Sequence, residues 1–329
     1  MTSVIWLSGQ HGRKPPHAPD PNLDLCNERG GKTRIRIKST IRIMSRKRFS
    51  LTLALFLAVA SARAEPAMWV IRDEDSTIYL IGTLHLLRHD DEWNSAKVKK
   101  TVGESTELWL EIADADDQAA MMQLVMQYGM DPKKPLSSKL NPAQKEKLAK
   151  VAKRYGVVQA GLDPMKPWMA AMLLTMMPLQ KAGYDPNAGV EHVLLAQAKK
   201  EGDKIRGFET MEQQVRIFAD LPEGDQIAFL EATLDEVDKG LDQLDKLAKA
   251  WIEGDVETIG RFSVEEFKNE APEVYDKLLV QRNIAWSEKI VEMLKGSGVQ
   301  QIAVGAAHLA GPDSVQAQLA KRGIKVERY

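Results

Sequence analysis

Apolar positions along this chain follow two regimes. Near both ends of the stretch after residue 64 they form short runs or alternate with polar residues, as strands do; between about 118 and 295 they recur at helical spacing. Met68 to Ile71 and Thr77 to Ile81 read as a hairpin across Asp73-Glu74-Asp75-Ser76, and Glu107 to Ile112 alternates as a further strand. Gln118 to Tyr128 is an apolar-faced helix. Asn141-Pro142 joins an N-cap to proline at the first helical position and opens a helix that ends before Gly156. Ala188 to Lys200 reads as a helix, Lys204 to Phe208 as a short strand, and Thr210-Met211-Glu212-Gln213 as a capping box. Asp225 to about Glu253 and Pro272 to Lys295 read as long amphipathic helices with a solvated charged face. The chain closes as strand, helix, strand: Gln300 to Val304, Ser314 to Arg322 and Ile324 to Arg328. The pattern predicts an α/β (α+β) fold. Its mixed central sheet is built from N- and C-terminal segments, residues 66 to 112 and 299 to 329, and a large helical middle over 118 to 295 covers it.

Two of the expected strands end alike. Ile78-Tyr79-Leu80-Ile81 runs into Gly82-Thr83-Leu84-His85, and Ile302-Ala303-Val304 runs into Gly305-Ala306-Ala307-His308. Each glycine is expected to turn the backbone sharply and deliver an imidazole just past the strand end, where α/β sheets bind ligands. Imidazole is both a common metal ligand and a proton carrier near neutral pH, so two delivered alike predict one shared site. The two histidines are 223 positions apart in sequence.

The start of the chain reads differently. Met44-Ser45-Arg46-Lys47-Arg48, the apolar stretch Leu51 to Ala60 and Ala62-Arg63-Ala64 have the three parts of a secretory signal peptide, with cleavage expected after Ala64. Residues 1 to 43 are basic and aperiodic, and read as an upstream mis-start or a disordered arm. Residues 44 to 64 are thus the signal, and 65 to 329 the functional domain. The apolar segment is shorter than the roughly 20 residues of a membrane span, so no stable membrane insertion of the mature chain is expected. The first 64 residues hold 12 of the 45 Lys and Arg and 3 of the 46 Asp and Glu, leaving a formal net charge of −10 on the remainder. That acidity speaks against nucleic acid or an anionic membrane as a partner. The single cysteine, Cys26, lies in the segment to be removed, which excludes disulfides and thiolate chemistry from the mature part. A periplasmic or secreted location follows.

Met165, Met169, Met172, Met176 and Met177 stand at helical spacing; core packing is the plainer reading, an adaptable pocket for an apolar or peptide ligand the alternative. His-Glu-x-x-His, Gly-x-Ser-x-Gly, P-loop and Gly-x-Gly-x-x-Gly motifs are absent. His89 and His192 lack the strand-glycine context and are not expected to be ligands.

Gly82-Thr83-Leu84-His85, the strand ending in Glu111, Gly207-Phe208-Glu209-Thr210 with Glu212-Gln213, the Arg282-Asn283 pair and Gly305-Ala306-Ala307-His308 together resemble the TraB/GumN family, which includes the Tiki proteins. The resemblance spans nearly all of residues 66 to 329. It implies a fold like the erythromycin-esterase and ChaN-like group and, in the Tiki branch, metal-dependent proteolysis. Carried over, His85 and His308 become metal ligands, Glu111 a third ligand or the general base, and Glu209 a weaker acidic candidate. Arg282 would pair with an active-site carboxylate or bind a substrate carboxylate; a surface ion pair is its plain alternative.

Three functions follow. The first is an exported metal-dependent hydrolase acting on a peptide or small-molecule substrate, its divalent ion Mn, Co or Zn, with bound water activated by the metal. The second is a metal-independent, esterase-like hydrolase with a histidine as general base. The third is a non-catalytic haem-binding, metal-binding or envelope-biogenesis protein. His85 and His308 serve all three, so these residues alone do not choose among them, and the oligomeric state is left open.

Overall fold

A computed structural model of the protein describes residues 64–329 except Asp238 and Ala271. The expected signal peptide and the segment before it lie almost wholly outside the described residues.

Six strands form one mixed sheet: β1 (Met68–Arg72), β2 (Ser76–Thr83), β3 (Glu107–Ile112), β4 (Lys204–Glu209), β5 (Gly298–Gly305) and β6 (Glu327–Arg328), in the order β4-β3-β5-β2-β1-β6. β1 and β2 form the expected antiparallel hairpin, with Trp69 opposite Leu80. β2, β5, β3 and β4 run parallel. The apolar run of β2 is buried along nearly its whole length, as a strand covered on both faces requires.

Both faces carry helices. On one, Ile81, Leu108, Leu110 and Ala303 meet Trp168, Leu194 and Trp251; on the other, Leu80, Trp109, Ile302 and Val304 meet Trp286, Ile290 and Leu319. A third cluster, with Leu148, Val151, Leu174, Leu230 and Leu234, joins the helices Pro142–Tyr155, Pro167–Lys181 and Glu223–Glu236. Met172 is buried, and Met169 and Met176 pack against the first core, so much of the methionine stripe serves as packing.

Local signals place most elements. Asn141 and Gln144 form a reciprocal capping box, as do Thr210 and Gln213. The expected strand Lys204 to Phe208 forms as β4 and joins the sheet at its edge, from inside the 118 to 295 segment. Three expectations need correction. The long helix expected over Asp225 to Glu253 is two, Glu223–Glu236 and Gly240–Ile252. Their apolar faces serve different cores, Leu230 and Leu234 in one and Leu244, Leu247 and Trp251 in another, and a single straight helix cannot face both. The helices over 118 to 128 and 272 to 295 each contain a wider π turn, Val125–Gly129 and Asp276–Val280. Finally, the last strand shrinks to Glu327–Arg328.

Candidate functional site

Because β2, β5, β3 and β4 are parallel, their C-terminal ends fall on one edge of the sheet, with Thr83 beside Gly305 and Ile112 beside Glu209. Neither glycine of the two Gly-x-x-His segments has positive φ. A turn is therefore not what Gly82 supplies. A Cβ there would lie 2.9 Å from the Ala306 Cα, so glycine is what lets the two strand ends close against each other. His308 then follows in a 3-10 turn, Ala306–Leu309.

Glu111, in β3, is 4% exposed. Its Oε1 accepts the Gly305 backbone N–H at 2.8 Å, and its Oε2 accepts from Arg282 Nη2 at 2.6 Å and Gln214 Nε2 at 2.9 Å. Burial by itself raises its pKa, but the Arg282 guanidinium together with the neighbouring imidazoles more than offsets that and holds Glu111 well below the usual carboxylate range.

Arg282 organises this cluster. It projects from the helix Gln281–Met293 and is itself buried. Its Nε donates to Glu209 Oε1 at 2.7 Å and its Nη1 to the Leu278 carbonyl at 3.0 Å, a carbonyl of the preceding π turn. Burial disfavours its charge, yet the two carboxylates more than compensate and raise its pKa. One turn on, Trp286 donates its indole N–H to Glu209 Oε1 at 3.0 Å and stands 4.3 Å, ring centre to ring centre, from His308. Residues four apart share a helix face, which brings both side chains to the strand ends.

His308 is fully buried. Asn283 Nδ2 donates to the Asp313 carbonyl at 2.8 Å, which turns Asn283 Oδ1 toward His308 Nδ1, 2.6 Å away. The network thus assigns the proton to Nδ1 and leaves the Nε2 lone pair to accept from Arg282 Nη1 at 3.1 Å. Burial, reinforced by the Arg282 charge, drops the His308 pKa to about 3, so the ring is neutral at physiological pH.

His85 has a different setting. Its Nδ1 lies 2.7 Å from Glu191 Oε1, which also accepts from the Thr83 hydroxyl. Glu191 sits in the first turn of the helix Val190–Glu201, where the helix dipole favours negative charge. A Cβ on Gly189 would come within 2.3 Å of the His85 carbonyl oxygen, so only glycine lets this helix start against the loop. The loop is fixed further by Val190 N–H donating to the Leu84 carbonyl and Trp251 Nε1 donating to Gly82 O. His85 Nε2 and Glu191 Oε2 have no hydrogen-bond partner. Both residues line a cavity of about 250 Å³ together with Glu111, Asp116, His192 and Gln214.

The divalent ion that the resemblance implies can be tested against these atoms. Of His85, His308 and Glu111, only His85 offers a free donor atom. Both nitrogens of His308 are engaged, both oxygens of Glu111 accept N–H groups, and the buried cation beside them is Arg282. Among the described residues no three His, Cys, Asp or Glu side chains come together in a metal-holding group. As arranged, the set does not fit a resident metal ion.

The five residues singled out from sequence gather at this edge. Glu111, Glu209, Arg282 and His308 form one bonded network, while His85 meets Glu111 at the cavity. Arg282 is a buried ion-pair partner and not a surface one. Sequence reasoning passed over Glu191, which holds His85, and Gln214, which links Glu111 at 2.9 Å to Glu209 at 3.4 Å. The acidic first turn after Gly189 was the one available signal for Glu191; for Gln214 there was none beyond its place in the helix after Glu209. His192 lines the cavity, whereas the exposed His89 pairs with Asp185.

Fold and site together define an α/β protein with a buried carboxylate, guanidinium and imidazole network at the carboxyl ends of its parallel strands. The chain belongs to the TraB/PrgY/gumN family, whose sequence model matches residues 67–328. It is 24% identical over 261 residues to an Escherichia coli (strain K12) protein named Uncharacterized protein YbaP, covering 77% of this chain and 92% of that one. A Treponema pallidum (strain Nichols) protein, named Uncharacterized protein, is 22% identical over 276 residues, covering 78% of this chain and 81% of its own. No solved structure matches.

Proposed function

We propose that this protein is an exported hydrolase in which His85 activates water for attack on the carbonyl of a peptide or small-molecule ester. The observation that carries the reading is the buried, unpartnered Nε2 of His85, a residue that lines the cavity and whose Nδ1 is held by Glu191. Glu191 accepts a hydrogen bond from Nδ1–H and so fixes the tautomer whose Nε2 lone pair takes a proton from water. The resulting hydroxide adds to the carbonyl carbon, Glu191 stabilises the imidazolium, and His85 returns the proton to the leaving amine or alcohol as the C–N or C–O bond breaks. The Arg282 network fixes Glu111 at the cavity wall as a permanent anion.

A second reading, the metal-dependent peptidase, is favoured by the same free nitrogen and by the family resemblance. It requires Arg282 to release Glu111 and His308. A purified 65–329 chain, assayed against a peptide library and a panel of esters and lactones with and without chelator, separates these. Chelator-resistant turnover that disappears in His85→Asn supports the first reading; turnover restored only by Mn, Co or Zn supports the second. No turnover on any substrate supports a binding role. Export is tested by mass spectrometry of the mature chain, whose N-terminus is expected at Glu65.

A further inference from the structure

The sheet ends at β4, which pairs on one side only, with β3. Lys204 N–H donates to the Thr106 carbonyl at 3.1 Å, so Lys204, Arg206 and Phe208 direct their backbone groups inward, and Ile205, Gly207 and Glu209 direct theirs to the open side. Among the described residues no other element pairs with that outward row. An open edge of this kind is a template for a further strand.

A groove of about 900 Å³ runs beside the edge, between β4 and the helix that carries Arg282. Phe208, Trp109 and Trp286 line it, with ring centroids 5.2 Å apart from Trp109 to Phe208 and from Phe208 to Trp286. Its carboxylates are spoken for: Glu107 faces Arg206 at 3.6 Å and Glu209 is bound by Arg282. Lys277 and Lys289 also line it, both exposed and neither with a carboxylate partner among the described residues. On a region with a net charge of −10, this is a local surplus of positive charge. Charges on β4 itself are the usual protection of an open edge, but Lys277 and Lys289 belong to a different segment and have no part in that.

We propose that the β4 edge and this groove bind an extended acidic segment of a peptide substrate, which adds to the sheet as a strand and seats its carboxylates on Lys277 and Lys289. Backbone pairing at an exposed edge, with alternate side chains read by an adjoining groove, is a general mode of peptide recognition. The arrangement also leads to the site. β4 ends at Glu209, and the adjacent residues Gln213 and Gln214 line the groove and the His85 cavity respectively. The proposal rests on the hydrolase reading for its substrate class, but its test does not require turnover.

The measurement is fluorescence anisotropy of a labelled decapeptide of alternating Glu and Val with the 65–329 chain. Controls are the Lys/Val counterpart, a Glu/Val peptide N-methylated at alternate residues, and an acidic oligosaccharide as competitor. The Glu/Val peptide is expected to bind. Its affinity should fall about tenfold in the Lys277→Glu, Lys289→Glu double variant and decrease with salt. His85→Asn should bind as the parent does, which separates a failure of docking from a failure of catalysis. Equal binding of the Lys/Val or N-methylated peptide, no effect of the double charge reversal in a variant of unchanged circular dichroism, or full displacement by the oligosaccharide overturns the proposal.

Discussion

Glu191 and His85, 106 positions apart in sequence, stand 2.7 Å from each other in the lining of the cavity. Helix start and strand-end loop are locked together through Gly189, so this pair is held rigidly and does not depend on surface side chains finding each other. Its consequence is a directed lone pair. His85→Asn should therefore lower hydrolysis by roughly 10²- to 10⁴-fold, the usual worth of a positioned base. Glu191→Gln should cost less in rate, because the amide oxygen still accepts the Nδ1–H while the charge that stabilises the imidazolium is gone. Steady-state kinetics on any substrate found in the library screen checks both. A Glu191→Gln enzyme with the parent's rate would remove Glu191 from the mechanism.

Arg282 carries the heaviest structural load, with four hydrogen bonds to Glu111, Glu209, Leu278 and His308. Replacing it by Leu leaves Glu111 buried without its cation, and breaking a buried pair in this way costs about 3–5 kcal/mol. Arg282→Lys should recover only part, since one ammonium does not reproduce the planar fork that serves both carboxylates. Urea unfolding gives the difference; a Leu variant as stable as the parent would show that the network contributes no net stability.

Buried neutral His308 makes stability pH-dependent. Its folded pKa is depressed to about 3 from an ordinary 6.5, so the unfolded chain takes up the proton first. The contribution is complete above pH 6.5 and declines as pH falls toward 3, at up to ~1.4 kcal/mol per pH unit. Comparing the parent with His308→Gln between pH 7 and 5 isolates this histidine from the others. The variant should lose less stability over that interval, by roughly one proton's worth of slope. Parallel curves would mean that His308 is protonated in the folded protein.

Gly82→Ala tests the closure of the two strand ends. The new Cβ would sit 2.9 Å from the Ala306 Cα, a backbone atom that cannot swing aside. Overpacking of this sort costs about 1–3 kcal/mol and should move His308 relative to Glu111. Thermal unfolding reads the first effect. The second appears as an upward shift of the His308 pKa by NMR titration, as a loosened contact with Arg282 lets the ring protonate.

Much of the fold was legible because its signals are local. The apolar runs of β2 and β5, the alternation of β3 and the capping boxes at Asn141 and Thr210 depend on residues within a few positions of one another. The break in the 225–253 helix was not legible, because it answers to which core each half buries, and that is a property of the packed chain.

For the site, the sequence by itself determined the chemical types and their delivery: two imidazoles and two carboxylates at strand ends, and an arginine on a late helix. Tertiary structure alone decided who holds whom. Parallel pairing put Thr83 beside Gly305, and the close approach that Gly82 allows brought His308 to the sheet edge. Helix packing then buried Arg282 between Glu111 and Glu209, which saturated His308 and left His85 as the imidazole with a free nitrogen. Hydrogen-bond partnership is a matter of a few tenths of an ångström between residues 26 to 171 positions apart. No periodicity or spacing in the chain encodes it; only the packed helices and sheet fix those distances.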